Sequence, residues 1–493
     1  MKFKKTLALL VALLMLVASV AGCSKKAEDS EDTGSQPTSQ AGDPTAAASN
    51  DEVVTLKWIM VGSGMPSNYD AWQEHINEYL AEKIGVNIDV EVVAWGDWDN
   101  RRDIIVNSGE YFDILFTDSS RYASTAKLGA FYDITELVKT ATPDLYSLIP
   151  EDYWRAASID GKNYAVPTYK DSSATQYFVW DKAIVDTYNV DYENLTTFAS
   201  LTDKLKEIKD GEGTAPFLLD KNGANVVYAS YDLMGLGLPI VGVSYNDTSR
   251  KVVSVFEQED ILSQLDVLNE WYNYGIINAD APSLDQRSDY RILQTAQGWS
   301  SAAETTWGPN MGVEAVAAQT GDTIVTNDTV CGSLNAIYAA SKYPEKCLEF
   351  LQLINTDSYV RDAFYYGLEG ENFKYTEDNK VEKLNSDWSM AGYTQGTFFN
   401  VTPLADTTFN QWDEVKELNA NAKASVLLGF TLDTTNIQTE IANCTAIYEK
   451  YKSTLLTGAK EPRALVKDMV TELNASGFDK IISEAQSQID AAY

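Results

Sequence analysis

From Val53 onward the apolar residues switch repeatedly between a period of two and a period near 3.6, and this alternation limits the fold more than any other feature of the chain. Residues 53–61 (VVTLKWIMV) form a strand-type run. Trp72, Ile76, Tyr79, Leu80 and Ile84 then recur at helical spacing, and Gly85 is placed to end that helix. Val86, Ile88, Val90 and Val92 alternate as a second strand, Phe112–Thr117 reads as a short buried one, and a helix ending near Gly129 follows. Strands and helices in this order predict open α/β sheets covered by helices. Asp160-Gly161 supplies the φ > 0 positions of a hairpin turn within residues 156–166, and Pro167 ends the pairing. Residues 176–180, 313–317 and 333–339 read as strands. Residues 258–274 form an amphipathic helix with Ile261, Leu265, Leu268, Trp271 and Tyr272 on one side. Pro344 opens a helix to about Ile354. After Gly367 the pattern changes to one hairpin-like stretch (373–384) and then helix from about Gln411 to Tyr493. The 493 residues suffice for two or three domains or one large two-lobed body.

The first fifty residues carry an address. Lys2, Lys4 and Lys5 precede an apolar run, residues 6–22, too short to be read as a spanning helix. This is a secretory signal, expected over 1–22. Val20-Ala21-Gly22-Cys23 resembles a bacterial lipobox, with Val20 where leucine is usual; the resemblance implies cleavage before Cys23 and lipidation there. Residues 24–52 hold no large apolar side chain, so residues 23–52 are expected to be a disordered, lipid-anchored tether. Cleavage removes three lysines and takes the formal charge from −34 to about −37.

That charge opposes binding to a phosphate backbone, so no nucleic-acid partner is expected. One histidine, His75, leaves no room for a multi-histidine metal site, and no metal or cofactor is expected. Carboxylate chemistry stays open, because there are 72 Asp and Glu. Cys331, Cys347 and Cys444 remain in the body, an odd number, and buried free thiols are favoured over a Cys331–Cys347 bridge.

Four segments resemble the extracellular solute-binding proteins of bacterial ABC importers, of the sugar-binding kind (family 1). They are Phe112–Thr117 with Gly129–Thr135, Asp160–Pro167, Val179–Lys182, and Ser341–Leu351, where Cys347 replaces the usual alanine. The helical region past about residue 370 resembles a C-terminal domain of some lipoprotein members. The resemblance implies an α/β, two-lobed, periplasmic-binding-protein-like (type II) fold with a hinge, a central ligand cleft and an extra helical C-terminal region. It implies crossings near Pro167, Met311 and Gly367. Lobe 1 would be 53–168 and 311–367, and lobe 2 would be 169–310 and 368–493 including the C-terminal helices. The expected function is capture of an extracellular solute, most readily an oligosaccharide, by hinge closure, and delivery to the membrane subunits of a permease. The chain would be a monomer held on the outer face of the cell membrane by its lipid. Two other readings stay open: a secreted carboxylate-dependent glycoside hydrolase, and a surface peptide receptor or adhesin.

A sugar presents flat C–H faces and a rim of hydroxyls, so aromatics and carboxylates on cleft loops are the candidates. Trp95 and Trp98 follow the second strand with Asp97 between them. By carry-over from the family's ligand loop, Asp118, Arg121 and Tyr122 are candidate contacts, although Thr117 stands where an aromatic is common. Asp171 follows the first crossing, and Asn225 and Tyr228 precede a glycine-rich turn. Trp299 and Trp307 lie where the family commonly places a stacking aromatic.

Overall fold

The computed structural model describes residues 53–493, so the expected leader, Cys23 and tether lie outside the described residues. Nine strands matter here, in chain order: β1 (Val54–Gly62), β2 (Val86–Ala94), β3 (Ile114–Thr117), β4 (Ala165–Pro167), β5 (Ala174–Asp181), β6 (Leu293–Gln297), β7 (Ala315–Val325), β8 (Leu334–Ile337) and β9 (Lys423–Ala424). Eight helices matter as well: α1 (Tyr69–Ile84), α2 (Trp98–Ser108), α3 (Glu259–Tyr274), α4 (Pro344–Thr356), α5 (Ser358–Tyr366), α6 (Gln411–Asn421), α7 (Gln438–Leu456) and α8 (Phe478–Ala492).

The first lobe is a five-stranded sheet in the order β2-β1-β3-β8-β4. β1 pairs parallel with β2 and β3, and β8 runs antiparallel to β3 and β4. The second half of β1 is buried on both faces, which explains its unbroken apolar run Trp58–Val61. Trp58 and Trp72 are fully buried against Phe350 and Phe364, with ring centroids 5.5 and 4.9 Å apart. Their indole N–H groups donate to Asn335 Oδ1 and Ala363 O, so neither buried donor is left unpaired. Gly85 ends α1 at φ 65°, a conformation that suits glycine.

The second lobe is built on the sheet β6-β5-β7-β9. Phe178, Phe217 and Trp271 of its core meet Phe198 edge-on, and the C-terminal helices add Cys444, Leu455, Ile481 and Ile489 to the same core. Cys331, Cys347 and Cys444 are all buried free thiols. The Asp160-Gly161 turn has the positive φ angles (51° and 78°) read from its sequence.

Two crossings fall elsewhere than expected. β7 stays in the second sheet, paired with β5, so the chain re-enters the first lobe between Val325 and Leu334 rather than near Met311. No crossing occurs at Gly367. Residues 368–404 pack on the first lobe: Asn68 Nδ2 donates to Asn372 Oδ1 (2.8 Å), Ser63 N to Ser389 O (2.9 Å), and Met390 and Tyr393 join the first core. The third crossing lies near Ser425, whose N–H donates to Val325 O; Leu427 enters the second core and Leu428 the first. The physical reason is a bridge between Gly62 and Met390, a pairing across more than three hundred residues that no local pattern announces.

Candidate functional site

In the first sheet β1, β2, β3 and β4 run parallel and end at one edge, and the strand order reverses at β1. Open α/β sheets bind ligands outside such a switch point. The loops there are Ser63–Gly64, Trp95–Asp97, Asp118–Arg121 and Thr168–Ser173. The segment around Ser389 closes over this edge, its Oγ donating to Gly64 O at 2.8 Å. It brings Tyr393 onto Phe116 edge-on (5.8 Å, 85°) and parallel to Trp95 (6.0 Å, 13°). Trp95 stays 52% exposed, so one face of that stack is free.

The aromatic contacts continue inward from there. A Cβ at Gly392 would collide with the Tyr365 ring, so this glycine lets Tyr365 lie against the backbone beside Tyr393. Tyr365 meets Phe398 (6.1 Å), Phe398 stacks on Trp412 (4.2 Å, 29°), and Trp412 meets Trp299 (5.7 Å, 53°). A band of six aromatic residues thus runs from a first-lobe loop to the loop after β6; Phe398 and Trp412 are its buried middle (7% and 6% exposed), and Trp95, Tyr393, Tyr365 and Trp299 are the members that reach solvent. The Trp299 indole nitrogen is buried without a partner.

Charged groups flank the band. Lys170 Nζ lies 5.9 Å from the Tyr393 ring centre and 2.8 Å from Asp171 Oδ1. Asp118 is held by buried Arg102 (3.1 Å), which also reaches Asp99 (2.6 Å). Burial and the charge of Asp118 push the Tyr393 hydroxyl up to about 12, so it is neutral and can donate at neutral pH. Flat rings with carboxylate, ammonium and phenol groups beside them can cover sugar faces and hydrogen-bond the hydroxyls. Among the described residues no group of three or more His, Cys, Asp or Glu side chains is placed to hold a metal ion.

The structure sorts the candidates. Trp95, Asp118, Asp171 and Trp299 come together on or beside the band. Trp98 and Tyr122 do not. Trp98 is 6% exposed and packs on Phe116. Tyr122 is 3% exposed, its hydroxyl donating to Ala157 O and accepting from Tyr164 N. Each is the first residue of a helix, and its side chain turns into the first core. Arg121 is exposed, its Nε 3.6 Å from Asp103. Asn225 is exposed on a short turn, while Tyr228 packs toward Phe256 in the second core. Trp307 packs on Tyr177 (5.6 Å) and fills the space beside Gly298. Tyr365, Tyr393, Phe398, Trp412 and Arg102 are the residues that sequence reasoning missed; only Trp412 carried a signal, as a tryptophan at the start of a helix.

A cavity of about 490 Å³ separately lies between the lobes, lined by Ser120 and Lys127 on one side and by Asp232, Gly235 and Phe430 on another. Asp328 also lines it. Burial, and then the charge of Asp232, push the Asp328 carboxyl above the usual carboxylate range. An acid with a raised folded pKa contributes stability below its unfolded pKa that is lost as pH rises through the folded value. Asp328→Asn is therefore expected to raise the melting temperature at neutral pH and flatten its rise on mild acidification; melting curves from pH 4 to 8 test this, and an unchanged pH dependence would refute it.

The family described as bacterial extracellular solute-binding protein matches residues 62–359, and a domain of unknown function, DUF3502, matches residues 426–493. The chain is 28% identical over 465 residues to a carbohydrate ABC transporter substrate-binding protein of Streptococcus pneumoniae serotype 4, covering 91% of this chain and 93% of the relative. It is also similar to crystal structures of the N-glycan transport solute binding protein of Streptococcus pneumoniae. One matches at TM-score 0.80 and 26% identity, covering 89% of this chain and 98% of the other. The structure in complex with Man1GlcNAc matches at TM-score 0.70 and 25% identity, covering 89% and 99%. The one with Man5GlcNAc matches at 0.66 and 26%, covering 89% and 98%.

Proposed function

This chain belongs to the family of bacterial extracellular solute-binding proteins, and from that membership we propose that it captures an oligosaccharide between its lobes, on the aromatic band, for delivery to an ABC permease. The observation that carries the ligand class is the band itself. Six aromatic residues from segments hundreds of positions apart connect Trp95 to Trp299; Trp95, Tyr393, Tyr365 and Trp299 reach solvent over the buried Phe398 and Trp412, with Asp118, Lys170 and Asp171 beside them. The relative's N-glycan ligands support the same class.

Capture works by closure. A ligand that touches both lobes binds the closed state better and shifts the population toward it. The finer parts of the reading are a lipid on Cys23, a monomeric body, permease membrane subunits as partners, and no chemistry performed on the sugar.

The test is a thermal-shift panel on the full chain with Man1GlcNAc, Man5GlcNAc, maltooligosaccharides and peptides. A sugar at a hundred times its Kd is expected to add about 2.7 kcal/mol of stability. A shift with peptides alone would overturn the ligand class, and release of monosaccharide at high protein concentration would restore the hydrolase reading. Trp95→Ala is expected to weaken sugar binding about tenfold while changing stability by less than about 1 kcal/mol, because the side chain is half exposed. Calorimetric titration and urea unfolding check the two halves of that statement.

A further inference from the structure

The band ends at Trp299, which sits on a loop, and loops position side chains less well than helices do. Glu414, on α6 two residues past Trp412, answers this. Its Oε1 accepts from Ser300 N (2.6 Å) and Ser300 Oγ (2.5 Å), and its Oε2 accepts from Ser301 N (3.0 Å) and Ser301 Oγ (2.5 Å). Four donors from the two residues after Trp299 thus converge on one carboxylate. At its start α6 holds the next turn, where Gln411 Oε1 accepts from Thr305 Oγ1 (3.2 Å). Near its end Asn419 Oδ1 accepts from Ser173 N (3.1 Å), and its amide donates to Lys170 O. One helix therefore ties the loop of Trp299 to the crossing that carries Lys170 and Asp171.

We propose that Glu414 is the positioning residue for Trp299: its carboxylate clamps the Ser300-Ser301 turn and holds the indole against Trp412, ready to stack on the ligand. The inference rests on the solute-binding reading for its ligand, and on the geometry alone for the clamp. The clamp needs the charged form. Each carboxylate oxygen receives a backbone N–H, so a glutamine, whichever way its amide turns, sets an NH₂ against one of them. Burial pushes the Glu414 carboxyl up, and the Ser300 and Ser301 donors more than offset this, so it ionises below the usual carboxylate range. A lowered folded pKa means that the clamp is intact above the ordinary glutamate range and is lost as pH falls through the folded value. The titratable and charged groups around it are Tyr177 on β5, Glu417 on α6, and the Asp322–Lys423 pair of β7 and β9 (2.7 Å); burial keeps Tyr177 neutral.

The experiment is hydrogen exchange of the full chain without ligand, with sugar affinity measured alongside. Glu414→Gln is expected to speed exchange at Ser300 and Ser301 about tenfold and to weaken sugar affinity about tenfold, losses of the size expected for charged hydrogen bonds. Added to Trp299→Ala, it should weaken binding no further. Unchanged exchange would overturn the clamp whatever the ligand. Faster exchange with undiminished sugar affinity would overturn the positioning role. A wild-type chain that binds no oligosaccharide would overturn the functional reading and the stacking role with it, while the exchange result still decides the clamp. Should Glu414→Gln fail to fold, the wild-type protection of Ser300 and Ser301 against pH decides: loss only below the ordinary glutamate range supports the clamp, and no loss there refutes it.

Discussion

Replacing Trp299 by alanine is expected to weaken oligosaccharide affinity at least about thirtyfold, or about 2 kcal/mol, the effect typical of a buried aromatic anchor. The ring is half-buried, lies against Trp412 and carries an indole N–H with no partner in the protein. It therefore has an apolar ring face to offer a ligand. Trp307→Ala makes the contrast. That ring fills the space beside Gly298 and packs on Tyr177, so its loss is expected to cost stability, about 3 kcal/mol, rather than sugar contact. Calorimetric titration and urea unfolding of both variants separate the roles. Equal loss of affinity in the two would show that Trp299 acts through loop packing alone.

The largest stability effect is expected at Arg361. Its guanidinium is fully buried and donates to Thr397 O (2.7 Å), Gln395 Oε1 (2.6 Å) and Gly392 O (2.9 Å), with the Tyr365 ring 5.0 Å away. Burial pushes its pKa down to about 10, which still leaves it charged at neutral pH. Its sequence neighbour Asp362 is occupied elsewhere, accepting from Tyr375 Oη and Thr402 N. Arg361→Met keeps much of the volume but strands three acceptors at roughly 1–2 kcal/mol each, a loss of about 3–6 kcal/mol. Because residues 392–397 carry Tyr393, sugar affinity should fall in the same variant. Urea unfolding that shows a loss below about 1 kcal/mol would mean that the guanidinium does not hold this segment.

Much of the frame was legible because its signals are local. The strand runs of β1 and β2, Gly85 at the end of α1, the Asp160-Gly161 turn and Pro344 at the start of α4 each depend on a few neighbouring residues. Four positions of the candidate site were legible for the same reason: Trp95, Asp118, Asp171 and Trp299 all stand on or beside loops that directly follow strands. Trp98 and Tyr122 show how narrow that signal is. Each lies a few residues past a strand end, yet each opens a helix whose first turn points inward. Tyr393 and Glu414 could not be read locally, and Trp412 showed only as a tryptophan at a helix start. They reach the site through pairings such as Gly62 with Met390 and Ser300 with Glu414, which link parts of the chain that share no sequence pattern.

Closure around a sugar is the property on which the proposed function depends. Small-angle X-ray scattering of the full chain, without and with saturating oligosaccharide from the binding panel, measures it directly. A smaller radius of gyration with sugar, absent in Trp299→Ala at the same sugar concentration, is the expected result. Sugar binding with no change in radius, or no binding by any oligosaccharide of the panel, would contradict capture between the lobes.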